Sequence, residues 1–140
     1  GVFIIGLPTF HDAAQGANRG RNTAFLMEME DLRLCHLGDL GHALSSKQIE
    51  DLSAVDVLFV PVGGVSTIDA KGAAEIVRLL NPKIVIPMHY RTEHGGLMEL
   101  STLAPFLEAM APARASAQPL LRVTREDLSQ QPRLVELQVR

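Results

Sequence analysis

Three short apolar runs in this chain each end at a side chain able to bind a metal ion. Leu7-Pro8-Thr9-Phe10 meets His11-Asp12, Cys35-His36-Leu37 meets Gly38-Asp39, and Val85-Ile86-Pro87-Met88 meets His89. The spacing 11, 39, 89 exceeds anything one helix or loop can gather. Only tertiary structure can bring these positions together, and the runs are of strand length. The expectation is a sheet whose neighbouring strands end at a common edge, with one site assembled there.

The rest of the chain punctuates those strands. Residues 2–6 are β-branched and aromatic, and stop at Gly6 and Pro8. Residues 9–22 read as a long polar loop, the kind that carries function. Thr23–Met29 and Leu32–His36 read as paired strands turning at Glu30-Asp31. Ser45 with Gln48 three residues later is a capping box, opening a helix to about Leu52. Asp56–Pro61 reads as a buried strand, and a Gly-rich loop, Val62–Ile68, follows it. Asp69 caps a helix with apolar positions at Ala70, Ala73, Ala74, Val77 and Leu80, stopped by Asn81-Pro82. Ile84–Pro87 is the next strand. Gly95-Gly96 precedes a helix over about Thr102–Met110, an Ala/Pro connector fills 111–119, and strands are expected over 120–124 and 133–139. Strands alternating with helices define an α/β class.

Composition closes off several functions. Net charge is −3 with both signs interspersed, and aromatics are 4% with no tryptophan. Neither a phosphate-tracking surface nor a base-stacking platform is present, so no nucleic-acid partner is expected. No apolar run approaches the roughly 18 residues of a membrane span, so no membrane partner is expected either. The single cysteine, Cys35, lies among leucines and reads as a buried thiol. One cysteine makes no intrachain disulfide, which suits a reducing, cytoplasmic setting. The chain opens directly on a strand, with neither an initiator methionine nor a signal peptide. It is therefore expected to start inside a fold.

Neutral imidazole and carboxylate suit zinc, manganese or iron. In two-metal sites one carboxylate can bridge both ions, and Asp39 suits that role because Gly38 and Gly41 permit close approach. His36, three residues before Asp39, reads as orienting a ligand or facing substrate. Tyr90 could donate a hydrogen bond to a substrate oxyanion, and Arg19 and Arg21 could meet an anionic substrate. His42 and His94 read as loop residues. The Gly63-Gly64 loop has no Gly-Lys-Ser/Thr or G-x-G-x-x-G pattern, which excludes a nucleotide cradle.

Taken in order, Phe10-His11-Asp12, His36-Leu37-Gly38-Asp39-Leu40-Gly41, Asp56-Val57-Leu58 with Pro61-Val62-Gly63-Gly64, Thr67-Ile68-Asp69 and Ile86-Pro87-Met88-His89-Tyr90 resemble metallo-β-lactamase-fold hydrolases. The resemblance covers nearly the whole chain and is to the branch of ascorbate-6-phosphate lactonase-like proteins. It implies an αββα sandwich of which residues 1–140 form mainly the C-terminal half, in a domain incomplete at its N-terminus. It implies His11 as the third histidine of a first metal site, Asp39 as the bridging carboxylate and His89 as the last histidine of a second. Gly63, Gly64 and Thr67 would lie near the mouth of a substrate cleft. The cofactor implied is one or two divalent ions, zinc first, with manganese or iron as alternatives.

The family's H-x-H-x-D-H motif is absent from these residues. The activity expected is hydrolysis of an ester, lactone, amide or phosphoester of a small-molecule substrate by metal-activated hydroxide. Asp39 and His36 would serve catalysis, once the missing N-terminal ligands are supplied. Without them the 140 residues should be inactive. The competing expectation is a metal-free half-sandwich used in assembly or regulation. Either way the sheet should expose an apolar face, to be covered by the N-terminal half of the fold or by self-association.

Overall fold

The first strand outruns its sequence signal. In the computed structural model, which describes residues 1–130 and 132–138, strand β1 covers Val2–Phe10. It pairs antiparallel along its full length with β2, Arg21–Met29, from Val2 opposite Met29 to Phe10 opposite Arg21. That pairing draws Pro8, Thr9 and Phe10 into the strand, so the loop expected to begin at residue 9 begins at His11. Pro8 is tolerated because β1 is an edge strand, where a missing N–H costs no ladder bond. At the loop's far end Arg21 and Asn22 belong to β2. Glu30 and Asp31 then turn the chain with φ of 48° and 64°, the mirror-image turn that matches strand twist. Strand β3, Leu32–His36, returns antiparallel to β2.

From β3 onward every added pair is parallel. Strand β4 (Val57–Pro61) lies beside β3, and β5 (Ile84–Met88) beside β4. Strand β7 (Arg133–Leu137) follows, then β6 (Ala115–Gln118) at the far edge, completing the order β1-β2-β3-β4-β5-β7-β6. Because β2 is antiparallel to both neighbours, β1 and β3 run the same way as the parallel strands. The carboxyl ends of β1, β3, β4 and β5 therefore share one edge of the sheet.

The crossovers carry the helices. Helix α1, Ser46–Asp51, opens with the expected capping box: Gln48 N–H donates to Ser45 Oγ, and Ser45 N–H to Gln48 Oε1. Helix α2, Ala70–Leu80, is capped by Asp69, which accepts from Gly72 N–H, and ends at left-handed Asn81. Helix α3 is Ala104–Ala109, shorter than the span of 102–110 read from sequence. Pro105 sits in its first turn, where it has no intrahelical N–H to lose.

The C-terminal region departs furthest from expectation. The Ala/Pro connector contains β6, four residues of low strand propensity recruited by backbone pairing with β7. Residues 120–124 are not a strand. Leu121 and Val123 instead pack on the sheet, and a 3₁₀ turn follows at Arg125–Asp127. Arg125 reaches back to the buried Asp56 carboxylate at 3.0 Å, which ties this segment to the amino end of β4. Strand β7 ends at Leu137, and residue 139 of the expected strand lies outside the described residues.

The two sheet faces are covered unequally. Leu26, Cys35, Leu58 and Val85 pack against Leu52, Ile76, Val77, Leu80 and Phe106, so the three helices lie on one face. On the other face Val57, Ile84, Ile86 and Val135 meet Leu121, Val123 and Leu128 from the C-terminal segment, beside Leu34, Phe59 and Leu137 of the strands themselves. Its β1–β2 end stays open: Val2, Ile4 and Phe25 are exposed. Among the described residues no helix is long and apolar enough to cross a membrane.

Candidate functional site

His11 follows β1, Asp39 lies three residues past β3 and His89 follows β5, so the shared carboxyl edge brings the three together. His11 Nε2 lies 3.9 Å from Asp39 Oδ2, and His89 Nε2 lies 4.0 Å from Asp39 Oδ1. One carboxylate thus faces a different imidazole with each oxygen. His11 Nε2 is buried without a hydrogen-bond partner, as is Nδ1 of His89. Burying an unpaired ring nitrogen is costly unless something else satisfies it.

Each backbone position is held by close contact. His89 adopts φ of 54°, uncommon for a residue with a Cβ. Gly63 makes this possible: a Cβ there would stand 2.1 Å from His89 O. Gly41 closes on the His11 backbone: a Cβ there would stand 2.4 Å from His11 C, and Gly41 N–H donates to Phe10 O at 2.9 Å. His42 fixes the end of β1, accepting the Phe10 N–H at Nε2 (3.0 Å) and donating from Nδ1 to Ala43 O (2.7 Å).

Sequence reasoning did not single out the brace of Asp39, which is Asn22. Its Oδ1 accepts the Asp39 N–H at 3.0 Å while Nδ2 donates to Thr9 Oγ1 and Leu37 O. The side chain therefore ties β1, the β3 exit and the carboxylate loop at one point. An asparagine in a polar loop gives no such signal until pairing of β1 with β2 sets Asn22 opposite Thr9.

Beside Asp39 and His89 opens a cleft of about 700 Å³, lined also by Arg21, Asn22, Thr23, Phe25, His36, Gly38 and Met88. His36 stacks on Phe59 with ring centroids 5.5 Å apart. Its Nδ1 accepts the Gly38 N–H at 3.1 Å, so the neutral ring carries its proton on Nε2.

The other expected substrate residues lie elsewhere. Arg19 donates its backbone N–H to Asp12 and does not line this cleft. Thr67 directs its hydroxyl to Gly64 O and Ile68 O, which keeps Gly64 and Thr67 within their own loop. Gly63 supports His89 from behind. Tyr90 lines a separate cavity of about 830 Å³ with Glu136 and His94. Burial, and then the Glu136 charge, raise the Tyr90 hydroxyl above its ordinary value.

Among the described residues no set of three His, Cys, Asp or Glu side chains is arranged to hold a metal ion by itself. What the geometry offers is two donor pairs, His11 with Asp39 and His89 with Asp39, sharing one carboxylate. The pairs fit a divalent ion in donor type as partial ligand sets. At His11 the unpartnered, buried Nε2 is the nitrogen that faces Asp39, whereas at His89 the unpartnered nitrogen is Nδ1 and Nε2 faces Asp39. A structural zinc site takes four protein ligands and a catalytic one about three.

A mixed α/β sheet with helices on one face and histidines flanking an aspartate at strand ends defines a metallo-β-lactamase-type fold. Comparison with known proteins agrees. A profile of the beta-lactamase superfamily domain matches residues 1–89, and the chain belongs to that superfamily. A UPF0173 metal-dependent hydrolase of Staphylothermus marinus is 35% identical over 91 residues, 65% of this chain and 38% of that protein. A second, from Carboxydothermus hydrogenoformans, is 36% identical over 97 residues, 66% of this chain and 43% of that protein. The chain thus spans about two fifths of the length of these relatives.

A solved structure from Thermotoga maritima, described provisionally as a Zn-dependent hydrolase of the metallo-beta-lactamase superfamily, superposes with a TM-score of 0.79. It is 38% identical, and the match covers 99% of this chain and 66% of that one. The fold is also shared with YhfI of Bacillus subtilis, at 12% identity and a TM-score of 0.60.

Proposed function

We propose that this chain is part of a metal-dependent hydrolase, in which Asp39 is shared between two divalent ions, His11 holding one and His89 the other. The observation that carries the reading is the single carboxylate with a different oxygen about 4 Å from each of two imidazoles. Relatives named metal-dependent hydrolases support the reaction class. The remaining ligands come from a segment outside these 140 residues, so the chain supplies the C-terminal part of the domain. The open apolar β1–β2 surface is covered by that segment, or by a second copy where it is lacking. Zinc is the ion proposed, and the cytoplasm the compartment.

When bound, a divalent ion supplies Lewis-acid charge and lowers the pKa of a coordinated water from about 15.7 to about 7. The chain's own residues do the rest. Asn22 holds the Asp39 loop, and Asp39 keeps the two imidazoles facing one centre. His36 presents Nε2–H to a substrate oxygen in the cleft. Arg21 offers a guanidinium fork at the cleft wall, which favours a substrate with an anionic group. Exposed Phe25 gives the same cleft an apolar wall. The substrate bond proposed is an ester, lactone, amide or phosphoester, and the lactonase-like branch makes lactones and phosphodiesters the first to assay.

The test is a zinc titration of the chain extended to the length of its relatives, which carries the remaining ligands, followed through histidine side-chain resonances. His11 and His89 should respond together, and Asp39→Ala should abolish both responses. A titration that moves neither ring, or an Asp39→Ala variant that responds like the parent, sinks the metal reading. The second reading, a metal-free domain for assembly or regulation, is favoured by the lack of any three-donor set among the described residues. Hydrolysis assays on the chain extended to the length of its relatives separate the two. Metal-dependent turnover supports the enzyme, and its absence supports the assembly domain.

A further inference from the structure

Asp12 is 7% exposed and turns away from the cleft, into the loop that follows His11. Its Oδ1 accepts the N–H groups of Ala14 (2.8 Å) and Gly16 (2.9 Å), and Oδ2 those of Asn18 (3.0 Å) and Arg19 (2.6 Å). Four backbone donors converge on one carboxylate. The bonds then run in a circuit: Gly16 O accepts from Gly20 N–H at 2.9 Å, and Gly20 O accepts from His11 N–H at 3.1 Å. The circuit that starts at the Asp12 carboxylate therefore closes on the amide of the residue beside it.

We infer that Asp12 is a positioning residue for His11, holding its imidazole toward Asp39 by organising the 11–20 loop around a carboxylate. Gly41 presses on the opposite side, against the His11–Asp12 peptide. The backbone of His11 is thus clamped between a hydrogen-bonded loop and a glycine with no room for a Cβ. His89 has no part in this circuit: its backbone is fixed by Gly63, and Arg91 N–H bonds to Ser101 O just beyond it. A defect at Asp12 should therefore reach His11 and spare His89. Asparagine cannot replace the carboxylate, because its NH₂ group would face two of the four N–H donors.

The inference rests on the proposed metal reading only where zinc is used as the probe. The first measurement needs no metal: side-chain order of the His11 and His89 rings by NMR relaxation in Asp12→Asn. His11 should lose order while His89 keeps it. The second is zinc affinity read at each ring in the chain extended to the length of its relatives, which should fall 10–100-fold at His11, the range for groups that orient a ligand, and stay unchanged at His89. Asp127→Ala, which removes the side-chain cap of the 3₁₀ turn tied to the amino end of β4, is the control and should leave both rings as they are. Should Asp12→Asn fail to fold, Asp12→Glu serves instead, since its extra methylene displaces the carboxylate from the same donors. Unchanged His11 order, or equal loss at both rings, overturns the inference. If the extended parent chain binds zinc at neither ring, the metal reading fails, and ring order still decides the role of Asp12.

Discussion

At the scale of single residues, the two glycines behind the histidines make a sharp prediction. A Cβ on Gly41 would lie 2.4 Å from His11 C, and one on Gly63 would lie 2.1 Å from His89 O. Both neighbours are backbone, which cannot swing aside as a flexible side chain can. Gly41→Ala and Gly63→Ala should each cost about 1–3 kcal/mol, the usual range for overpacking, read as a lowered urea midpoint at constant m-value. The histidines and Asp39 were legible in the sequence because each stands just beyond an apolar run. Their supports were not. Asn22 and Asp12 act through backbone groups that become neighbours only once β1 and β2 pair and the loop closes, and neither residue type announces that in a string.

At the scale of elements, local signals were read well where the physics is local. The Ser45–Gln48 capping box, the Asp69 cap and the Asn81 stop all rest on groups within four residues of each other, and all three are present. Ser45→Ala should cost about 1 kcal/mol and shift the thermal midpoint down by several degrees, measured calorimetrically. Signals failed where partners are distant. Ala115–Gln118 is a strand because β7 lies beside it, while Leu121 and Val123 spend their hydrophobicity on packing over Ile84 and Val135 instead of on pairing. The same contrast explains β1: Pro8 marks a stop in sequence, yet an edge strand has no use for the N–H that proline lacks.

At the scale of the whole molecule, Cys35 reports on the integrity of the core. Burial drives its thiol up to about 12, with the nearby Arg33 charge opposing only in part. A folded-state value above the unfolded one of about 8.5 means the neutral thiol stabilises the fold fully below that pH. The contribution is then lost as pH rises from about 8.5 through the folded value. At pH 8 an alkylating reagent should label Cys35 only in urea, with the labelling midpoint matching the circular-dichroism midpoint. Fast labelling of the native chain would mean that the helix-bearing face opens on its own.

The one reversed strand, β2, has a consequence for the order in which the molecule can be made. Emerging from the ribosome amino end first, the chain can form the β1–β2–β3 hairpins as soon as residue 36 is free, and His11 and Asp39 come into reach of each other early. His89 joins them only after two parallel crossovers have been synthesised and docked. Topology alone thus predicts assembly in two stages: a nascent chain halted before β5 should carry one imidazole facing Asp39, and the other should arrive only once β5 has docked.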